Sequence, residues 1–382
     1  MQQQQKLDFV NGLKALACLM VFNFHFIHFY YCGMYSLAPA DFHAETFELL
    51  IGKTPLCLLI GGKFAVRIFL VISGFFVGYR FFLTGDRRSL TAGAVKKYFR
   101  LVFPILTANI AIYACMKLGL YMNGEATAMA GSRVFAGNYN QFTPSLLGAV
   151  KEAVWGCFLT GENQYNGPIW CMTYEFLGTL LVAAVLSLVG NSKVRYVVYA
   201  VMLVIFMRSD FLAVICGMMV CDLTYRQPAW LKKLTGQKWL MWLMLLAGIF
   251  LGSYPSIGER LEGTVYALLP PHVMFYYAIA AACILFALLH LKAPQKVLGV
   301  KALTWLHTYS YAFFLTHFMV LCTFSCGFYL AFREKMNYHV LAAVNYVLSF
   351  ALTLAISVLV HKFAEKPGMK FANQFADQFC NE

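Results

Sequence analysis

The sequence predicts an all-α fold, a polytopic bundle of about ten transmembrane helices with both termini in the cytoplasm. The 382-residue chain is 60% hydrophobic and only 12% charged, whereas soluble domains carry about 25% charged residues. Apolar runs of about 20 residues, the length of a helix that crosses a bilayer, recur along the whole chain. The lysines and arginines between these runs concentrate on alternate loops, as the positive-inside rule requires.

The apolar runs define the predicted spans in order. With the N-terminus inside, most basic residues between spans fall in inner loops, notably 84–100, 225–238 and 291–301. Two runs, 194–207 and 211–225, have about 14 residues each, so we expect short helices or one re-entrant pair there. The ten predicted spans are 9–31, 56–82, 100–121, 168–190, 194–207, 211–225, 239–253, 270–291, 302–331 and 339–361.

No segment of the sequence separates a soluble module from the membrane part. We therefore expect a single integral membrane domain over 1–370 and a short cytoplasmic tail over 371–382. The net charge of +13 raises the question of a nucleic-acid partner, but the basic residues flank predicted spans and no nucleic-acid fold accompanies them. We therefore expect the lipid bilayer as a partner and do not expect nucleic acid. The twelve cysteines show no metal-ligand spacing, so no metal is expected.

Ionisable residues inside apolar spans are costly and often mark functional positions. Lys14 and His25 lie eleven positions apart in the first span. Eleven helical residues complete about three turns, so the two side chains share one face about 16 Å apart. The structural alternatives are that Lys14 extends its stem to the inner interface and that His25 is hydrogen-bonded inside the bundle.

Glu175 is the second ionisable residue inside an apolar span. The fourth span runs inward, which places Glu175 at about the depth of His25. A carboxylate beside an imidazole raises the basicity of the imidazole and fixes its tautomer, so the two residues together would form a general base. A structural ion pair of Glu175 with Lys63 or Arg67 is the alternative.

Two further segments carry polar residues at predicted spans. In the second span, Arg67 is followed by Ser73 and Gly74, and a Ser-Gly step permits close backbone approach of a ligand or of another helix. Lys97 and Arg100 open the third span one turn apart. There they could bind phosphate groups or anchor the span at the inner surface.

Taken in series, these segments resemble the acyltransferase 3 family of integral membrane acyltransferases. The stretch LDFVNGLKALACLMVFNFH (7–25) is similar to the family's L-D-G-L-R-A-x-A and apolar run ending in F-H, and FLVISGF (69–75) is similar to its FFVLSGF. Lysine stands at Lys14 and Lys97, where the family has arginine. The later similar segments, in family order, are KYFR (97–100), IWCMTYE (169–175), MRSDFLAVICGMMV (207–220), TYSYAFFLTHFMVL (308–321) and FAEKP (363–367).

The resemblance implies an enzyme with about ten transmembrane helices that transfers an acyl group, usually acetyl, from cytoplasmic acyl-CoA. The implied acceptor is a hydroxyl of a carbohydrate or other cell-surface molecule, as in O-acetylation of a surface polysaccharide. The protein would be a multi-pass protein of the cytoplasmic or plasma membrane. Acyl-CoA, most often acetyl-CoA, would be the donor substrate, without a metal. A homo-oligomer is compatible with the sequence.

The resemblance also implies roles for individual residues. The expected catalytic residues are His25, Glu175 and Lys14. His25 would be the base or acyl relay, Glu175 would assist it, and Lys14 would lie towards the donor. Trp170 and His317 would line the acceptor side. The expected donor-binding residues are Lys97, Arg100, Arg67, Ser73 and Gly74.

Two other functions fit part of the sequence. A proton-coupled transporter of a small solute also places His, Glu and Lys inside a bundle, but no inverted repeat and no pair of Gly/Pro-broken spans is evident in the sequence. A catalytically inactive member of the fold would be consistent with Lys14 and Lys97, because lysine lacks the bidentate fork of arginine.

Overall fold

A computed structural model describes residues 7–131, 135–255, 261 and 264–380. All regular secondary structure in these ranges is helical, as the sequence predicts. The long helices are α1 (Asp8–Tyr30), α2 (Gly62–Thr84), α3 (Arg88–Lys117), α4 (Met172–Val189), α5 (Arg195–Ile205), α6 (Phe211–Tyr225), α7 (Lys238–Gly252), α8 (Val273–His290), α9 (Lys301–Val320), α10 (Tyr338–Val360) and α11 (Lys366–Cys380). Shorter helical segments lie at Gly33–Ser36, Pro39–Asp41, Glu45–Lys53, Pro55–Ile60, Asn123–Met129, Phe135–Asn138, Leu146–Lys151, Glu152–Gly156, Cys157–Leu159, Gly167–Cys171, Ala229–Thr235, Lys292–Leu298, Leu321–Ser325, Cys326–Phe332 and His361–Glu365.

Within the described residues, seven helices are long and apolar enough to cross a membrane. Each corresponds to one of the predicted spans, so the multi-pass helical architecture is confirmed. The seven are Asp8–Tyr30, Gly62–Thr84, Arg88–Lys117, Gly167–Val189, Val273–His290, Lys301–Phe332 and Tyr338–Gln378.

The remaining three predicted spans coincide with shorter helices. α5 has 11 residues, and α6 and α7 have 15 each. At 1.5 Å per residue, even 15 residues rise only about 23 Å, less than a hydrocarbon core of about 30 Å. α7 and Ala229–Thr235 form a pair bent by 81°, which would count as one broken span. The total of ten spans and the cytoplasmic position of both termini stay predictions.

Glycines bring α2 and α6 together at backbone distance. Gly74 lies against the backbone of Val214, and Gly217 lies against the backbone of Val71, so a Cβ atom at either glycine would overlap a carbonyl oxygen. Small residues in such reciprocal positions allow membrane helices to pack closely where lipid supplies no hydrophobic driving force. This contact favours the packing alternative for Gly74 over a role in binding the donor.

α10 buries a stripe of polar side chains that recur at every fourth residue and therefore share one face. The Ser349 hydroxyl donates to Asn345 Oδ1 at 3.0 Å, and Asn345 Nδ2 donates to the Ser325 carbonyl oxygen at 3.0 Å. The hydroxyl of Ser357 lies 3.4 Å from that of Thr316 on α9. These bonds replace the water that the bilayer cannot provide. The buried members of the stripe are Asn345, Ser349, Thr353 and Ser357.

The chain continues as a helix after α10. A π-helical turn at His361–Glu365 joins α10 to α11, and α11 packs along α3. The ring centroids of Phe371 and Phe375 lie 5.2 and 4.6 Å from that of Phe99 on α3. The expected tail, 371–382, is thus helical up to residue 380, and 381–382 lie outside the described residues.

Replacing Gly217 with alanine tests the contact between α2 and α6. The added methyl group would overlap the Val71 carbonyl oxygen. We expect the free energy of unfolding to fall by about 1–3 kcal/mol, the usual cost of overpacking, and the melting temperature to fall with it. The matched control is Gly93→Ala on α3, where nothing lies within 4 Å of the added methyl. Equal melting temperatures for the two variants, measured by tryptophan fluorescence in detergent, would contradict the contact.

Candidate active site

His25 and His317 face each other between α1 and α9. The Nε2 atom of His317 lies 3.0 Å from the Nδ1 atom of His25, and the ring centroids are 4.9 Å apart. His317 is fully buried, whereas His25 is half-buried. The fold therefore brings the expected second histidine directly to the expected base.

Backbone carbonyls indicate which nitrogen atoms of the pair carry protons. His317 Nδ1 lies 2.7 Å from the Phe314 carbonyl oxygen, so Nδ1 holds a proton and Nε2 presents a lone pair. His25 Nδ1 then donates to that lone pair or to the Val21 carbonyl oxygen at 3.0 Å. This network assigns an unprotonated Nε2 to His25. An unprotonated nitrogen on a half-buried ring is the form that a general base needs.

Glu175 forms an ion pair with Lys97. The Lys97 ammonium also donates to the Ser73 hydroxyl at 3.0 Å. The expected contact between His25 and Glu175 is therefore wrong, and His317 takes the place next to the imidazole. The physical reason lies in α3. This helix already begins at Arg88, so Lys97 lies inside the bundle. The buried ammonium of Lys97 requires an anion, and Glu175 provides it.

Lys14 belongs to the same group of charges. It interacts electrostatically with Lys97, Glu175 and Arg100, and its ammonium lies 5.2 Å from the ring centroid of Phe76. Arg100 is exposed. Of these four interacting groups three are cations and one is a carboxylate, which leaves a net positive charge suited to a polyanion.

Arg67 has a partner that sequence reasoning missed. Its guanidinium forms a buried ion pair with Asp210, donates to the Lys63 carbonyl oxygen at 2.9 Å, and lies 5.3 Å from the ring centroid of Trp170. Because the ion pair with Asp210 is buried more completely than that of Lys97 with Glu175, Arg67 is better suited to a structural role than to donor binding. Asp210 lies in the family-like segment 207–220, but nothing in the sequence pairs it with Arg67.

A family comparison bears on all of these segments together. The model of the acyltransferase 3 family, described as an acyltransferase domain, matches residues 7–362, nearly the whole chain. The chain belongs to the acyltransferase 3 family. No curated protein and no solved structure matches it. This match confirms the resemblance seen in the sequence. It supports the assignment of the chain as a membrane protein that transfers acyl groups.

Glu152 is a second residue of this acyltransferase that sequence reasoning missed. Its buried carboxylate accepts hydrogen bonds from the backbone N–H groups of Tyr165 at 2.9 Å and Asn166 at 3.2 Å. Burial raises the pKa of the Glu152 carboxyl, and these donors oppose the shift. Asn166 Nδ2 donates in turn to the Leu315 carbonyl oxygen at 3.0 Å, two residues before His317. Glu152 thus positions the segment leading to α4, although a glutamate in an expected outer loop gives no signal of such a role.

The ion pair between Lys97 and Glu175 can be tested by a double-mutant cycle. Lys97→Met leaves the carboxylate without its cation, and we expect the free energy of unfolding to fall by about 3 kcal/mol. Adding Glu175→Gln removes the stranded charge, so the double variant should recover roughly half of that loss or more. Thermal unfolding in nanodiscs measures each variant.

The control for this cycle is the exposed pair of Lys151 and Glu162, whose atoms lie 3.4 Å apart. Lys151→Met should change the free energy of unfolding by less than about 1 kcal/mol, because solvent screens the pair. Effects of Lys97→Met and Glu175→Gln that simply add would show that the two residues do not interact.

Proposed function

We propose that this acyltransferase moves an acyl group from acyl-CoA, bound near Lys97, to a hydroxyl of a carbohydrate or related cell-surface molecule that approaches His25. The observation that carries the proposal is the 3.0 Å contact between His25 Nδ1 and His317 Nε2. One nitrogen of His25 is engaged by another histidine, so the other is available as a base. With acetyl-CoA as donor, the reaction is an O-acetylation.

The proposed reaction moves one acyl group and one proton. His25 Nε2 takes the proton of the acceptor hydroxyl while the hydroxyl oxygen attacks the thioester carbonyl carbon. The carbon–sulfur bond then breaks, and the imidazolium returns the proton to the CoA sulfur. The products are an acyl ester and the CoA thiol, so atoms and charge balance. His317 Nε2 accepts the hydrogen bond from His25 Nδ1 and stabilises the imidazolium while it exists.

The charges around Lys97 support the choice of donor. CoA carries phosphate groups, and Lys14, Lys97 and Arg100 together exceed the single charge of Glu175. Lys14 and His25 lie on one helix, about 16 Å apart along its axis, a separation that the extended pantetheine arm of CoA can bridge. Lysine binds phosphate as a point charge, so lysine at these positions is compatible with donor binding.

Removing the base tests the proposal directly. For His25→Ala we expect the rate of acyl transfer to fall by about 10²–10⁴-fold, the usual contribution of a general base. The measurement is incorporation of radiolabelled acetate from acetyl-CoA into surface polysaccharide, with purified protein in nanodiscs and polysaccharide from a gene-deletion strain. His290→Gln, at the end of α8, is the matched histidine control and should keep the wild-type rate.

Two results would overturn this function. Solute flux driven by a proton gradient, without release of CoA, would identify a transporter. A folded wild-type protein that neither releases CoA nor moves solute would identify an inactive member of the family. Mass spectrometry of the polymer from cells with and without the gene would identify the group added and its acceptor.

His317 should act through the hydrogen bond that it accepts. His317→Gln keeps an acceptor oxygen for His25 Nδ1, and we expect kcat to fall by less than about tenfold. His317→Leu removes the acceptor, and we expect a fall of about 100-fold or more. The KM for acetyl-CoA should change little in both variants, because the donor lies at the other end of the site. Equal kcat values for the two variants would contradict this role.

A further inference from the structure

Two aromatic rings, Phe318 and Tyr139, lead away from the proposed base. The ring centroid of Phe318 lies 5.0 Å from that of His25, and the ring centroid of Tyr139 lies 5.1 Å from that of Phe318 at an interplanar angle of 80°. Phe318 is buried, whereas Tyr139 is half-buried. Tyr139 belongs to the segment between α3 and α4, at the end of the bundle where α1 ends. Phe318 therefore packs against both His25 and Tyr139 and connects the histidine pair to this loop segment.

Two buried asparagines hold Tyr139 in this position. Asn123 Nδ2 donates to the Tyr139 carbonyl oxygen at 2.9 Å, and Asn140 Nδ2 donates to the Tyr165 carbonyl oxygen at 2.8 Å. Asn140 has a φ of 59°, in the left-handed region that asparagine tolerates better than most residues. Such a backbone persists only where surrounding contacts determine it, a situation that is common at ligand sites.

Gly167 provides the space that the Tyr139 ring fills. A Cβ atom at Gly167 would lie 2.5 Å from Tyr139 Cε1 and 3.0 Å from Cδ1. Gly167 is the first residue of the short helix that leads into α4. The ring therefore packs between the start of the fourth span and Phe318, the neighbour of His317 on α9.

We propose that Tyr139 covers the acceptor side of the histidine pair and makes the site select an acceptor hydroxyl over water. The proposal rests on the acyl transfer proposed above. It assigns Tyr139 to acceptor specificity, and Asn123, Asn140 and Gly167 to positioning it. A half-exposed phenol ring also offers a flat apolar surface on which a sugar-like acceptor can pack.

The competing reaction that Tyr139 would suppress is hydrolysis of the donor. Water takes the place of the acceptor, gives its proton to His25, and attacks the thioester carbonyl carbon with its oxygen. The carbon–sulfur bond breaks, and the products are the free carboxylic acid and the CoA thiol. Since this reaction needs only the base and access of water, a ring that excludes bulk water from His25 favours transfer.

The test measures acetate release from acetyl-CoA alone, with the full chain in nanodiscs. For Tyr139→Ala we expect acetate release to rise about tenfold or more above wild type. Tyr139→Phe keeps the ring and should keep the wild-type rate. Adding His25→Ala to Tyr139→Ala should abolish the increase, because the base is the same. The matched control is Phe142→Ala, which removes an exposed ring that packs on Tyr165 in the same segment.

A second variant covers the case in which Tyr139→Ala does not fold. In Gly167→Ala the added methyl group would overlap the Tyr139 ring and displace it. This variant should therefore also raise acetate release. Acetate release at the wild-type level in both folded variants, or an increase that does not depend on His25, would overturn the role of Tyr139.

The same samples distinguish this inference from the proposed function. With polysaccharide from the gene-deletion strain added, Tyr139→Ala should raise the KM for polysaccharide and leave the KM for acetyl-CoA unchanged. If the wild type transfers acetate and Tyr139→Ala has the same ratio of transfer to hydrolysis, only the role of Tyr139 is overturned. A wild type that neither transfers nor hydrolyses would overturn the acyl transfer itself.

Discussion

A charged or polar side chain in the hydrocarbon interior must be neutralised or hydrogen-bonded by another part of the bundle, because no water is available to solvate it. In this protein that constraint links different segments of the bundle, from the consecutive helices α5 and α6 to α1 and α9. Each link also disfavours arrangements of the helices in which a charge would be stranded. The linked pairs are Lys97 with Glu175, Arg67 with Asp210, Arg195 with Asp222, and His25 with His317.

The pairs divide the polar interior into two centres of different character. Around Lys97, permanent charges of both signs leave an excess of positive charge, which suits a donor that brings its own negative charge. At His25 and His317, two neutral rings hold one hydrogen bond between them, so the pair costs little to bury and becomes charged only while it holds an extra proton. This division would place the proposed proton transfer and the proposed binding of phosphate groups in separate regions.

The sequence predicts the bounds of the helices more completely than it predicts which side chains pair between them. α1 was predictable almost to the residue, since an uninterrupted apolar run of the right length has few other structures in a bilayer. The start of α3 at Arg88 was not, because its first turns are polar and the apolar run begins only at residue 100, which left Lys97 outside the predicted span. The contact between His25 and His317 joins residues 292 positions apart. Helical periodicity relates only residues within one helix, so it could not predict this contact.

The π-helical turn at His361–Glu365 sets the rotational phase between α10 and α11. Each residue of a helix advances the side chains by about 100°, so one residue more or fewer in this turn would rotate α11 by that angle. In its present phase, α11 presents Phe371 and Phe375 to Phe99, on the helix that also carries Lys97. In a relative with one residue more or fewer at this turn, Phe371 and Phe375 would therefore face away from Phe99. The C-terminal helix would then lose this contact with the helix that carries Lys97.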